Sequence, residues 1–221
     1  MFAGTGIIIF IAVKNDANCS LRKGGVITAD STRSRGENID ILPMGEVDRS
    51  PFDYLALGLR IRFGRRVEFL PDQPLPEEAF DRTRGQWLAR ELLRSIKPRP
   101  STWRTLAVVG VDLFAPGLTF VFGEADPTGR RAIFSIDRLR PERAGEPADR
   151  ELLLGRCLKE AVHEVGHTIG LGHCRDRFCV MRFSNSLADT DLKRDNFCGR
   201  CRRLVARGTA GLAGTAAAPR R

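Results

Sequence analysis

Residues 163–173 read HEVGHTIGLGH, and this stretch determines most of what the sequence predicts. His163 and His167 are four positions apart, so on a helix they share one face and can offer imidazole nitrogens to one Zn²⁺. Glu164 lies beside that face, where it can reach a zinc-bound water without being a ligand itself. His173, six residues further on, supplies a third ligand if the chain turns back after the helix.

Gly170 lies where that turn is needed, because glycine tolerates the positive φ of a sharp helix exit. Two histidines on one helix face also occur as ordinary surface or core residues, and HExxH alone is a short pattern. This chain has only three histidines, however, and all three fall inside one window at ligand spacing. The sequence therefore favours a catalytic zinc site with three histidine ligands and a fourth position open to water.

The six cysteines divide into four that are clustered and two that are isolated, Cys19 and Cys157. In a secreted chain six cysteines would suggest disulfides, whereas close pairs in a reducing compartment suggest a metal site. No secretory signal is recognisable, so we expect four thiolates on one tetrahedral zinc ion and two bystanders, rather than a set of unrelated buried thiols. The clustered residues form two close pairs and are Cys174, Cys179, Cys198 and Cys201.

The composition is that of a globular domain, with 42% hydrophobic and 29% charged residues among 221, which excludes collagen-like, disordered and membrane-embedded chains. The formal net charge is +9, but the excess lies at the two ends, so nucleic acid is an improbable partner. The longest apolar run, 6–13, is too short to span a bilayer, and no positive residue precedes it. We expect a cytoplasmic protein without a membrane partner.

Apolar periodicity alternates between strand and helix along the chain, which predicts a mixed α/β sheet. Short apolar runs predict strands at 39–42, 66–70, 106–111, 118–122 and 132–136. Helical spacing predicts helices beginning near 51, spanning 86–96, and beginning near 150. We expect three parts: an N-terminal appendage, partly disordered, over 1–38, a single domain over 39–204, and a disordered Ala/Gly/Arg-rich tail over 205–221.

The zinc-binding pattern and the residues around it resemble the archaemetzincins, minimal metzincin-like zinc metalloproteases. HExxHxxGxxH is the metzincin signature, and it is followed directly by the four clustered cysteines, as in that family. The stretch 111–125 (VDLFAPGLTFVFGEA) and the Lys-Glu-Ala at 159–161 also resemble family sequence. The resemblance covers about 39–204, and the interval between Met181 and Cys198 is one residue shorter than the family pattern.

By this resemblance the chain is a single metzincin-like protease domain with a twisted mixed sheet, an active-site helix and a small C-terminal subdomain. It implies two zinc ions per chain, one catalytic and one structural on the four cysteines. Met181 would be the Met-turn residue, an apolar floor beneath the catalytic zinc, although a methionine in a core more often only fills space. The resemblance further implies a peptide or protein substrate, and we expect a monomer.

The implied activity is peptide hydrolysis by a zinc-bound water that Glu164 activates. The only tyrosine, Tyr54, lies far upstream, so no second group is assigned to the transition state. We expect substrate to pair with an edge strand, for which 118–122 is the candidate, unless that run is an ordinary core strand.

The alternative function is a zinc-containing nucleic-acid or protein-binding module with a vestigial protease site, in which Glu164 would have no purpose. Aminopeptidase and endopeptidase activity are not separated by these residues.

Overall fold

The computed structural model describes residues 36–210. In that range the strands are β1 (Asn38–Met44), β2 (Arg66–Phe69), β3 (Phe80–Asp81), β4 (Gln86–Leu88), β5 (Thr102–Val109), β6 (Leu113–Phe114), β7 (Gly123–Ala125) and β8 (Arg131–Ser135). The helices are α1 (Phe52–Phe63), α2 (Ala89–Ser95), α3 (Arg150–Thr168), α4 (Leu187–Leu192) and α5 (Gly199–Ala210). This content confirms the mixed α/β class that the alternating periodicity predicts.

The main sheet has five strands in the order β2-β1-β5-β8-β7. The first four are parallel, and β7 pairs antiparallel with β8 at the edge. Residues 106–109 of β5 are fully buried, as is expected of a central strand that is covered on both faces. A smaller sheet in the order β3-β4-β6 lies beside it.

Two apolar cores cover the two faces of the main sheet, because successive side chains of a strand point to opposite sides. Leu106 and Val108 of β5 face α1 and α3, together with Leu55 and Val162 of those helices. The intervening Ala107 and Val109 belong to the second core, which includes the apolar face of α2. The long helix α3 is thereby held against the sheet on the same side as α1.

The predicted strand at 118–122 is wrong, and the edge strand is β7, which begins at Gly123. Pro116 and Gly117 make a turn in which Gly117 has a φ of 81° and Leu118 donates to the carbonyl of Ala115. Val121 then pairs only in an isolated bridge with Leu113 of the smaller sheet. This bridge delays entry into the main sheet until Gly123, which is why apolar character alone places the strand too early.

Other boundaries differ by a few residues. The first three residues of the predicted helix at 86–96 form β4, and the helix itself starts at Ala89. Helix α5 extends past the predicted domain end at 204 as far as Ala210. Cys19 and most of the predicted appendage and tail lie outside the described residues. Within residues 36–210, no helix combines the length and apolar character needed to cross a bilayer.

Candidate active site

Helix α3 carries the first two histidines of the zinc-binding pattern and ends just after them. Asp149 caps its start, accepting a hydrogen bond from the backbone N–H of Leu152 at 3.0 Å. At its other end Gly170 adopts a φ of 86°, as the sequence predicts for a sharp exit. The chain therefore turns back immediately and places His173 beside the helix.

The three histidines converge on one point. One ring nitrogen from each of His163, His167 and His173 lies within 4.8 Å of the others. The Nε2 atoms of His163 and His167 are 3.0 Å apart. This is the cluster that the spacing of the pattern predicts.

Backbone carbonyls fix which nitrogen of each helical histidine faces the cluster. The Nδ1 of His163 lies 2.8 Å from the carbonyl oxygen of Val180, and the Nδ1 of His167 lies 2.7 Å from that of Leu171. Because a carbonyl only accepts, each Nδ1 carries the proton and each Nε2 presents a lone pair. Such outer hydrogen bonds orient histidine ligands in metal sites.

Burial also keeps these imidazoles neutral. It lowers the pKa of His163 well below its usual value, and the neighbouring His167 lowers it further. Burial likewise lowers the pKa of His167, and it lowers the pKa of His173 to about 4. Three neutral imidazoles with converging lone pairs fit a zinc ion, whose ligands must be deprotonated.

Glu164 is buried beside the histidine cluster, at the inner side of the edge strand. A Cβ placed on Gly123 of β7 would lie 2.7 Å from both the Cγ and the Oε1 of Glu164, so the carboxylate sits against this backbone. Burial raises the pKa of Glu164 well above its usual value, and the carboxylate of Glu160 raises it further. The strand thus leaves room for Glu164 only because residue 123 has no side chain.

Met181 is fully buried and packs directly against the helix between the two histidines. A Cβ on Gly166 would lie 2.5 Å from its Sδ, and its carbonyl accepts from the N–H of Cys174 at 2.8 Å. The apolar floor implied for Met181 therefore agrees with its packing. Tyr54, by contrast, is exposed on α1.

The four clustered cysteines form a second convergent group. Their sulfur atoms lie within 4.8 Å of one another, and the Sγ atoms of Cys174 and Cys198 are 3.8 Å apart. All described cysteines are free thiols. Burial raises the pKa of Cys179 to about 11, so a cation is needed to hold this residue as a thiolate. Four soft donors fit a closed, four-coordinate zinc site. Cys157 is buried elsewhere, in the main core.

The two groups share one short stretch of backbone. Cys174 follows His173, and Cys179 precedes Val180, whose carbonyl orients His163. The N–H of Val180 in turn donates to the carbonyl of Asn196 at 3.0 Å. The cysteine cluster therefore adjoins the backbone that orients His163.

Sequence reasoning missed a buried ion pair beneath the site. The Nζ of Lys193 lies 2.9 Å from the Oε1 of Glu160, and both side chains are almost fully buried. Glu160 lies one turn before Glu164 on α3, while Lys193 also reaches the carbonyl of Arg182 at 3.4 Å. In the sequence, Glu160 is noticeable only as part of the Lys-Glu-Ala that resembles family sequence. No sequence feature indicates a role for Lys193, Gly123 or the carbonyl of Val180.

Comparison with known proteins agrees with this geometry. The model of peptidase family M54 matches residues 77–207. The chain is 42% identical to archaemetzincin of Pyrococcus furiosus over 175 residues, which covers 76% of this chain and 91% of the relative. It is 50% identical to archaemetzincin of Methanopyrus kandleri over 134 residues, or 60% and 73% of the two chains.

Solved structures resemble the fold over most of their length. The crystal structure of Archaeoglobus fulgidus archaemetzincin, complexed with malonate, matches with a TM-score of 0.68 and 40% identity, covering 76% of this chain and 99% of that one. The Methanopyrus kandleri structure matches with a TM-score of 0.69 and 39% identity, covering 80% and 98%. The chain belongs to peptidase family M54, the archaemetzincins, and is a zinc metallopeptidase.

Proposed function

We propose that this chain hydrolyses peptide bonds at the three-histidine cluster, with Glu164 as the group that moves the proton. The observation that carries this proposal is the buried carboxylate of Glu164 beside three neutral imidazoles whose lone pairs converge. A zinc ion held by His163, His167 and His173 would polarise the scissile carbonyl and make water more acidic.

Glu164 accepts a proton from the attacking water on a carboxylate oxygen and then donates it to the nitrogen of the leaving amine. A group that both takes and gives a proton works best with a pKa near the working pH. Burial shifts the pKa of Glu164 upward, in that direction. A binding module would have no use for such a carboxylate, so the geometry supports the enzyme over the alternative function.

The four cysteines hold a second zinc ion with a structural role. This ion would link the two ends of the segment 174–201, and it would hold the carbonyl of Val180 against His163. The site has four protein donors and no position for substrate. We therefore expect two zinc ions per chain, of which only the three-histidine ion is catalytic.

Substrate binds as an added strand along the outer edge of β7. The carbonyl of Phe122 accepts from the N–H of Ser135 at 2.8 Å, and the N–H of Asp126 donates to Arg131 at 3.0 Å. Because partners alternate along an antiparallel strand, the backbone groups of Gly123 and Ala125 face away from β8. An extended peptide can pair with these free groups and so pass in front of Glu164.

Glu164→Gln is the experiment that tests this assignment. The variant keeps the shape of the side chain, so we expect two zinc ions and an unchanged Tm. Peptidase activity should fall by roughly 10² to 10⁴, the usual contribution of a general acid-base group.

Glu151→Gln makes the same change in the exposed first turn of the same helix and should leave activity unchanged. Full activity in Glu164→Gln, measured with a peptide that the parent cleaves, would show that another group moves the proton.

A further inference from the structure

The arginines of this protein show a contrast that the peptidase site does not explain. Among residues 36–207, nine arginines are buried or half-buried, and six of them form ion pairs with an aspartate. The six paired residues are Arg62, Arg99, Arg131, Arg138, Arg140 and Arg156. The other three, Arg65, Arg104 and Arg130, have no carboxylate of the described residues within 4.0 Å.

These three arginines lie together at the start of β5. The guanidinium carbon of Arg65 lies 5.0 Å from the ring centroid of Trp103, and that of Arg104 lies 4.7 Å from the same centroid. Arg104 Nη1 donates to the carbonyl of Trp103 at 2.6 Å, and Arg130 Nη1 donates to the preceding carbonyl, that of Thr102, at 2.8 Å. The three positive charges thus lie around one tryptophan ring and two consecutive backbone carbonyls. We call these three residues the arginine cluster.

The three positive charges of the arginine cluster repel one another. Burial, followed by the positive charges of Arg130 and Arg65, lowers the pKa of Arg104 to about 10. Stacking on Trp103 and hydrogen bonds to carbonyls offset part of this unfavourable energy, but neither supplies a negative charge. Every other arginine of comparable burial has a carboxylate for that purpose.

We propose that the arginine cluster is a binding site for a phosphate-like oxyanion. Guanidinium groups recognise phosphate through several parallel hydrogen bonds. Three neighbouring guanidinium groups that have no carboxylate partner among the described residues suit an anion with two charges and several acceptor oxygens. Arg65 and Arg130 keep donors that make no hydrogen bond to the described residues, so these remain available to the anion.

The site touches the active-site helix without including its catalytic residues. Arg104 Nε donates at 2.8 Å to Thr168 Oγ1, and Thr168 follows His167 at the end of α3. Binding at the arginine cluster would therefore reach the helix through one hydrogen bond. The arginine cluster shares no group with the proposed proton transfer.

Calorimetric titration with inorganic phosphate tests the proposal. The titration is carried out at constant ionic strength, with chloride as the anion that phosphate must displace. We expect saturable binding of one phosphate per chain. Because phosphate oxygens also coordinate zinc, the titration is repeated after a chelator has removed the three-histidine ion, and binding at the arginine cluster should persist.

Substitution separates this site from general attraction to a basic protein. Arg130→Gln and Arg65→Gln should each weaken phosphate binding at least about tenfold, as expected for loss of one charged hydrogen-bonding group. Arg66→Gln is the matched control, because Arg66 is exposed, adjacent to Arg65 and outside the cluster. Absence of saturable binding in the chelated protein, or equal weakening by Arg66→Gln, would overturn the proposal.

Discussion

Replacing Gly123 by alanine should disable the enzyme through one methyl group. The added Cβ would lie 2.7 Å from the Cγ and Oε1 of Glu164 and 2.6 Å from the carbonyl oxygen of Ile133. Ordinary contacts begin near 3.4 Å, so an atom must move by about 0.7 Å. The side chain of Glu164 can yield to its own contact, whereas the contact with the Ile133 carbonyl is relieved only if the backbone of β7 shifts away from β8. Either movement changes the position of Glu164 relative to the edge strand.

The size of the effect follows from this displacement. A misplacement of about 1 Å at a reacting group lowers rates by roughly 10²-fold. Overpacking of a buried position costs about 1–3 kcal/mol of folding free energy. We therefore expect Gly123→Ala to reduce kcat/KM by about two orders of magnitude while the protein stays folded and retains its zinc, because the histidine ligands are untouched.

The assay compares kcat/KM, zinc content and Tm in the parent, Gly123→Ala and Gly155→Ala. Gly155 is a matched control on α3, since a Cβ there meets no atom within 4 Å. Alanine at that position should preserve activity and raise stability by roughly 0.5–1 kcal/mol through helix propensity. Parent-like activity in Gly123→Ala would refute the placement of Glu164 against β7.

Three further predictions concern the cysteine cluster, the buried ion pair and pH. Cys198→Ser should lower Tm and zinc content, whereas Cys157→Ser, which changes a buried cysteine outside the cluster, should leave zinc content unchanged. Equal zinc loss in both variants would contradict the assignment of Cys198, and not Cys157, as a zinc ligand. Lys193→Met leaves Glu160 buried without its partner and should cost about 3–5 kcal/mol in denaturant unfolding, while the double variant with Glu160→Gln should recover much of it; no recovery would argue against the pair. In the chelated protein, the pKa of His173 is lowered from a usual 6.5 to about 4. The unfolded chain therefore binds more protons than the folded chain below pH 6.5, and the stability of the fold decreases as pH drops from 6.5 toward 4. His173→Gln should flatten this part of the Tm profile, and an unchanged profile would show that other groups cause it.

The parts of this site that sequence predicts are those fixed by local spacing. His163 and His167 share a helix face because four residues make about one turn, and Gly170 predicts the exit because few other residues adopt its φ. The paired cysteines are similarly local. For such features the residue type and the interval already determine the geometry.

The parts that sequence misses depend on contacts between distant segments. Gly123 matters only because β7 passes Glu164, which lies 41 residues later in the chain. Apolar character predicts a strand at 118–122, but a bridge between Val121 and Leu113 joins this run to the smaller sheet. Lys193 is expected at the surface because lysine is charged, and only the fold shows that it is buried against Glu160.

The most direct test of the account is the zinc content of the purified, fully reduced protein, measured alongside His163→Ala and Cys198→Ser. With three histidines on one ion and four cysteines on another, we predict two zinc ions per parent chain and one in His163→Ala, which should stay folded. Cys198→Ser should lose the other ion together with stability. A single zinc ion in the metal-saturated parent, or two retained by His163→Ala, would contradict the account.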